Sequence, residues 1–239
     1  MTRLSVNINK FATLRNARGG NNPDVVKTAI DCERFGAEGI TVHPRPDERH
    51  ITYRDVVELK EVVTTEFNVE GYPDDRYFEL LQIAKPAQAT LVPDTPQVIT
   101  SNQGWDTIKE QQFLRETIKR IKDLGIRSSI FVEARPELVK AAAETGADRI
   151  EFYTEPYASE YQNNPDAALK PYLECAQLAN NLGLELNAGH DLSLANLKFL
   201  INNIPSIKEV SIGHALICDA IYYGLENTIQ LYLRQLEEN

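Results

Sequence analysis

The stretch Phe35-Gly-Ala-Glu-Gly-Ile-Thr-Val-His43 leaves a helix-like segment, turns at a glycine, enters a short β-branched run and stops at a histidine. The same form returns at Thr145-Gly-Ala-Asp-Arg-Ile150. Glycine adopts the left-handed conformation that ends many helices, so each phrase hands the chain from helix to strand. Gly125 and Gly183 sit in the same kind of position. Recurrence of this handover is what stacked βα units produce.

Working outward, apolar periodicity switches repeatedly between strand-like and helix-like stretches. Strands are predicted over Leu4–Ile8, Gly39–Val42, Phe67–Glu70, Ala89–Val92, Arg127–Val132, Arg149–Tyr153, Leu184–Ala188 and Glu209–Ile212. Helices are predicted over Pro23–Phe35, Arg54–Thr65, Asp75–Ala84, Thr107–Leu124, Pro136–Thr145, Pro165–Leu182, Leu194–Asn203 and Ile217–Leu236, with Asp74 and Ser193 as N-caps. Eight alternating pairs predict an α/β fold, an eight-fold βα (TIM) barrel, in a single domain over residues 1–239. A doubly wound open sheet is the alternative, weakened because no G-x-G-x-x-G follows the first strand.

The chain has 239 residues, 42% hydrophobic and 25% charged, within the range of ordinary globular proteins. A formal net charge of −10 argues against nucleic acid or an anionic membrane as partner. No apolar run approaches the ~20 residues that span a bilayer. No signal peptide is read in the first residues, so a cytoplasmic location is expected. Cys32, Cys175 and Cys218 form no C-x-x-C pair and are expected as small buried apolar residues.

All four histidines follow predicted strands, and no predicted helix contains one. In a closed parallel barrel the strand C-termini converge, and catalytic groups lie there. Reading those ends selects Asn7, His43 with Arg45, Glu70, Glu151, His190 and Gly213-His214. A carboxylate beside histidines is suited to general acid/base catalysis; the structural alternative is a set of hydrogen-bonded braces. Asn187-Ala-Gly-His and Ile212-Gly-His-Ala each place a glycine between strand and helix, where barrels bind phosphate. Arg15, Arg18, Arg45, Arg49 and His50 crowd the first two βα connections and suit bidentate phosphate binding. Two such regions imply two phosphorylated substrates, or one with a phosphate at each end. Residues 93–105 make a long Pro-, Thr- and Asn-rich connection of the kind that forms lids.

Four motifs in order resemble the pyridoxine 5′-phosphate synthase family. They are Val6-Asn-Ile…Ala12-Thr-Leu-Arg-Asn-Ala-Arg-Gly19, Gly39-Ile-Thr-Val-His-Pro-Arg…Arg49-His-Ile-Thr52, Asn187-Ala-Gly-His190 and Ile212-Gly-His-Ala215. The resemblance implies a barrel with extra helices assembling into a homo-octamer. It implies condensation of 3-amino-2-oxopropyl phosphate with 1-deoxyxylulose 5-phosphate, without metal or organic cofactor. It implies His43 and Glu70 as proton acceptors and His190 as proton donor. Asn7, Arg18, Asp191, Gly213 and His214 would hold the amino ketone phosphate; Asn9, Lys10, Arg45, His50 and Thr100 would hold the sugar phosphate. The chain departs from the family pattern at Asn9-Lys10, where many relatives have Asp-His, and at Asp191, where glycine is common. The rival readings are a one-substrate isomerase or lyase, a metal-dependent barrel enzyme, and a phosphate-ligand binding protein without catalysis.

Overall fold

The computed structural model describes residues 1–94 and 103–237. Eight parallel strands close into a barrel in sequence order: β1 (Arg3–Asn7), β2 (Gly39–Val42), β3 (Glu66–Gly71), β4 (Gln88–Leu91), β5 (Arg127–Val132), β6 (Arg149–Tyr153), β7 (Glu185–Gly189) and β8 (Ile207–Ile212). Strand β8 returns to pair with β1, with Val6 opposite Ile212, so the sheet has no edge and the open-sheet alternative fails.

The helices among the described residues are α1 (Asn9–Arg18), α2 (Val25–Arg34), α3 (Tyr53–Lys60), α4 (Asp75–Ala84), α5 (Gln111–Asp123), α6 (Pro136–Ala143), α7 (Glu155–Tyr161), α8 (Pro165–Asn181), α9 (Leu197–Asn203), α10 (His214–Tyr223) and α11 (Leu225–Leu236). Eight of them are the ordinary crossovers; α1, α7 and α10 are additions at the strand C-terminal ends. None of the three was predicted as a separate element. The predicted terminal helix over 217–236 is two helices, because Gly224 takes φ 76° and breaks it. His214 is the first residue of α10, which corrects the expectation that helices lack histidine. Ser193 does not cap α9: the helix starts at Leu197 behind Asn196. Asp74 does cap α4, accepting a hydrogen bond from the Tyr77 N–H. Gly36, Gly125, Gly146 and Gly183 all have positive φ, as the helix-to-strand handover requires.

Side chains alternate between the two faces of a strand. Here one face is apolar and the other polar. Leu4 and Val6, Ile40 and Val42, Phe67 and Val69, Ile130 and Val132, and Ile150 and Phe152 belong to the core packed under the helices. Their neighbours Ser5, Thr41, Asn68, Thr90, Ser129, Glu151 and Asn187 are also buried, but polar. They face the barrel axis, and Ser5, Thr41, Asn68 and Thr90 are joined in a row of hydrogen bonds. Ser5 Oγ and Thr41 Oγ1 are 2.7 Å apart, Asn68 Nδ2 donates to Thr41 Oγ1 at 3.3 Å, and Thr90 Oγ1 donates to Asn68 Oδ1 at 2.9 Å. Parallel strands covered by helices usually read as continuous apolar runs because both faces are dry. The period-two pattern here records a hydrophilic axis. Val92, Phe131 and Tyr153 form a separate small apolar cluster at its C-terminal end.

Cys32 and Cys175 are buried as expected, whereas Cys218 is exposed on α10. No helix among the described residues is long and apolar enough to cross a membrane.

Candidate active site

Two hydrogen bonds and one close approach set the C-terminal end of the barrel around β1 and β2. The Asn7 side-chain oxygen accepts from the Asn9 N–H at 3.1 Å, and the Asn9 side-chain oxygen accepts from the His43 N–H at 2.8 Å. Asn9 thus ties the end of β1 to the residue that follows β2. Only an acceptor oxygen is needed there, which an amide supplies as well as a carboxylate. Gly213 lies against the same asparagine: a Cβ at that position would come within 3.1 Å of Asn7. That close approach brings the N-terminus of α10 beside β1.

His43 is buried, with its Nδ1 3.8 Å from Glu70 Oε2 on the neighbouring strand. Its Nε2 has no hydrogen-bond partner, so one imidazole nitrogen is free for a reacting group. The His50 ring stands edge-on to it, centroids 6.1 Å apart. Burial, with the neighbouring His50 and the charges of Arg45 and Arg49 adding to it, holds the His43 imidazole well below its ordinary range. It is therefore neutral and a competent proton acceptor. Burial, followed by Arg45, Lys10 and Arg49, pushes His50 down to about 4. The His50 Nδ1 accepts from the Ile51 N–H at 2.9 Å, so the ring proton sits on Nε2, and the ring is a neutral donor.

Glu70 moves the other way. Burial raises it well above the carboxylate range, and the charges of Glu151, Asp94 and Glu209 add to the rise. Glu151 on β6 is likewise pushed up to about 8 by burial and Glu209. Both carboxyls are thereby shifted toward their protonated forms. Glu151 comes from the same reading of strand ends that selects Glu70, and no role was attached to it. Gly189 leaves the room its carboxylate occupies: a Cβ there would overlap Glu151 Oε1.

Arg45 is buried and meets Asp94 at 2.7 Å. Among the described residues, Asp94 at this end of the barrel was not selected by the sequence reading. It follows β4 as the others follow their strands, but within Pro93-Asp-Thr-Pro it reads as part of a loop. Its carboxylate holds the Arg45 guanidinium in place beside His43.

Across the mouth, His190 follows β7 with φ 96°, a left-handed conformation that is strained for a residue with a Cβ. Its ring packs against Tyr153 and Phe131, with centroids 5.3 Å and 6.3 Å away. The Asp191 carboxylate turns onto His190 Nδ1, and the Asp191 N–H donates to Thr154 Oγ1 at 3.3 Å. The contact at Nδ1 leaves Nε2 as the ring's other nitrogen. Lys10, Arg18 and His214 are exposed around the rim.

Arg15 is not a phosphate ligand. It is buried, and both terminal nitrogens engage Asp55, at 2.6 Å and 2.8 Å. Thr100 and most of the expected lid lie outside the described residues. Of the lid's flank, the Trp105 N–H donates to the Phe131 carbonyl at 2.9 Å. No group of three or more His, Cys, Asp or Glu among the described residues is arranged to hold a metal ion.

The sequence matches the family model described as pyridoxal phosphate biosynthesis protein PdxJ over residues 4–238. Pyridoxine 5′-phosphate synthase of Cytophaga hutchinsonii is 63% identical over 238 residues, covering 100% of both chains. The synthase of Bacteroides thetaiotaomicron is 61% identical over 232 residues, covering 97% of this chain and 98% of the relative. Among solved structures, phosphoribosyl anthranilate isomerase of Thermus thermophilus gives a TM-score of 0.62 at 13% identity, covering 98% of each chain. A tryptophan synthase chain of M. tuberculosis gives 0.65 at 14% identity, covering 99% of this chain and 94% of the other. At such identities these two likenesses speak for the fold alone.

Proposed function

The chain belongs to the pyridoxal phosphate biosynthesis protein PdxJ family, and from that premise we propose that its barrel mouth is where 3-amino-2-oxopropyl phosphate and 1-deoxyxylulose 5-phosphate condense to pyridoxine 5′-phosphate, phosphate and water. It is a pyridoxine 5′-phosphate synthase, an enzyme of vitamin B6 biosynthesis, as its relatives at 63% and 61% identity are. One observation carries the placement: a neutral, buried imidazole (His43) faces the largely covered carboxyl of Glu70 across adjacent strand ends, within reach of Arg45 and His50.

Arg45 and His50, with Asn9, Lys10 and Thr100, hold the sugar phosphate. Arg45 is set by Asp94, and His50 donates from Nε2. Asn7, Arg18, Asp191, Gly213 and His214 hold the amino ketone phosphate, with the α10 N-terminus adding its dipole. An ammonium group arriving beside Glu70 favours the ionised carboxylate. Glu70 then takes a proton from that ammonium, and the free amine adds to the sugar ketone; the carbonyl oxygen leaves as water to give an imine between the two substrates. His43 removes a carbon-bound proton to form the enamine, phosphate leaves, and ring closure with loss of water completes the pyridine. His190 returns protons to the departing oxygens. Each placed proton transfer is worth roughly 10²–10⁴-fold.

Because the imine joins substrate to substrate, borohydride added during turnover should leave the protein mass unchanged and yield a reduced small-molecule adduct. A reduced adduct on Lys10 would instead make this a Schiff-base enzyme of the aldolase kind.

One barrel domain over residues 1–239 carries the reaction in the cytoplasm, and the assembly is a homo-octamer. Ile221 and Tyr222 at the end of α10 are 75% and 85% exposed, apolar surface of the kind subunit contacts cover. A solution mass of one chain would contradict the assembly.

A further inference from the structure

Helix α1 and the connection between β2 and α3 are joined by a side-chain lattice that the reaction scheme does not use. Arg15 forks onto both oxygens of Asp55, and its Nη2 also donates to the His50 carbonyl at 3.2 Å. Its Nε donates to the Asn16 side-chain oxygen at 2.9 Å. That bond orients the Asn16 amide so that its Nδ2 donates to two consecutive carbonyls, Arg49 at 3.2 Å and His50 at 2.9 Å. Asp55 closes the lattice by accepting from the Thr52 N–H at 2.7 Å, while Thr52 Oγ1 accepts from the Asp55 N–H. Three residues of the loop, Arg49, His50 and Thr52, are thus held by the clamp or its capping box, and the N–H of Ile51 between them holds the His50 ring.

From this geometry we infer that Arg15, Asn16 and Asp55 are positioning residues that aim His50 at the phosphate of the sugar substrate. The inference rests on the reading above that His50 belongs to the sugar phosphate subsite. The physical reason is directional. A neutral imidazole gives one N–H to a phosphate oxygen, and a hydrogen bond weakens steeply as its angle opens. The ring's Nδ1 is pinned by the very next backbone N–H, so the orientation of its Nε2–H follows the peptide plane between His50 and Ile51. The carbonyl of that plane is the one that Arg15 and Asn16 both grip. The clamp does not touch the other phosphate subsite: none of its bonds reaches Asn7, Gly213 or His214.

Asn16 separates positioning from folding because it is exposed. Arg15 and Asp55 are buried, and their loss would disturb the fold itself. Asn16→Asp keeps the acceptor for Arg15 Nε, removes the two donations to the loop carbonyls and adds a negative charge; Asn16→Ala removes all three bonds without adding a charge. Both variants are expected to bind 1-deoxyxylulose 5-phosphate about tenfold more weakly, in calorimetry and in KM, with KM for the amino ketone phosphate within about twofold. Thermal stability should stay close to that of the native chain. Equal weakening toward both substrates, or unchanged binding of the sugar phosphate in Asn16→Asp, would overturn the clamp. If the native chain binds the sugar phosphate but makes no product, the reaction assignment fails, and the tenfold loss in the variants still decides the clamp. If the native chain does not bind the sugar phosphate, both fall.

Discussion

Replacing Glu70 by glutamine is expected to lower turnover by roughly 10²–10⁴-fold, measured as pyridoxine 5′-phosphate formed at saturating substrates. Glutamine keeps the shape and most of the hydrogen bonding and cannot carry the proton. The same variant should be at least as stable as the native chain, which a merely structural role would not produce. Glu70 sits well above its ordinary value of 4.5 because burial, then Glu151, Asp94 and Glu209, disfavour its charge. Its contribution to stability is therefore fully present below the ordinary value and is lost as pH rises toward the raised one, because the unfolded chain ionises there first. Denaturation between pH 5 and 8 should show Glu70→Gln gaining on the native chain as pH rises. Near-native turnover would remove Glu70 from catalysis, and a parallel loss of stability would make it a brace.

Asp55→Ala is expected to cost about 3–5 kcal/mol of stability, because it strands the buried Arg15 guanidinium. Each side chain of the pair is less than a tenth exposed, 8% for Arg15 and 9% for Asp55. Burial alone would raise the Asp55 carboxyl, but the Arg15 fork and the Thr52 N–H outweigh it and hold it below the ordinary range. The pair's contribution is present above the ordinary carboxylate value and is lost as pH falls through the lowered one. Urea unfolding at neutral pH checks the magnitude; a cost under about 1 kcal/mol would mean that Arg15 finds water or another acceptor. Removing both charges together, as Arg15→Met with Asp55→Leu, should recover much of the loss, since no buried ion then lacks its partner.

The barrel was legible from the glycines at 36, 125, 146 and 183 and from the strands between them, because both signals are local. A left-handed residue must end the helix, and a short β-branched run must follow it. Helix α1 was not legible for an equally local reason. Asn9-Lys-Phe-Ala-Thr-Leu-Arg lacks an acidic first turn and a capping side chain, and only Phe11, Ala12 and Arg15 of the helix are buried. One of those three is an arginine, which the apolar pattern counts as surface. The same blind spot turned Arg15 into a phosphate ligand: its partner Asp55 lies 40 positions away, and nothing local announces the pairing. Asp94 was missed because burial of a loop carboxylate depends on where Arg45 reaches.

His43, Glu70 and His190 were legible as a set because closure of a parallel barrel puts every strand C-terminus at one end, whatever the packing. Their protonation states were not. Whether Glu70 keeps its proton depends on Glu151 and Glu209, which strands β6 and β8 bring across the axis. The alternation of Thr41, Asn68 and Thr90 with apolar neighbours was visible as letters, yet a hydrophilic axis follows from it only once the sheet is known to close.

In the proposed reaction this barrel mouth joins two phosphorylated substrates by proton transfer. Its most direct test mixes purified protein with 3-amino-2-oxopropyl phosphate and 1-deoxyxylulose 5-phosphate and follows pyridoxine 5′-phosphate and released phosphate together. Equimolar appearance of both, absent in a folded His43→Ala variant, is the predicted result. Neither product from native protein that binds both substrates, or equal rates from His43→Ala, would contradict it.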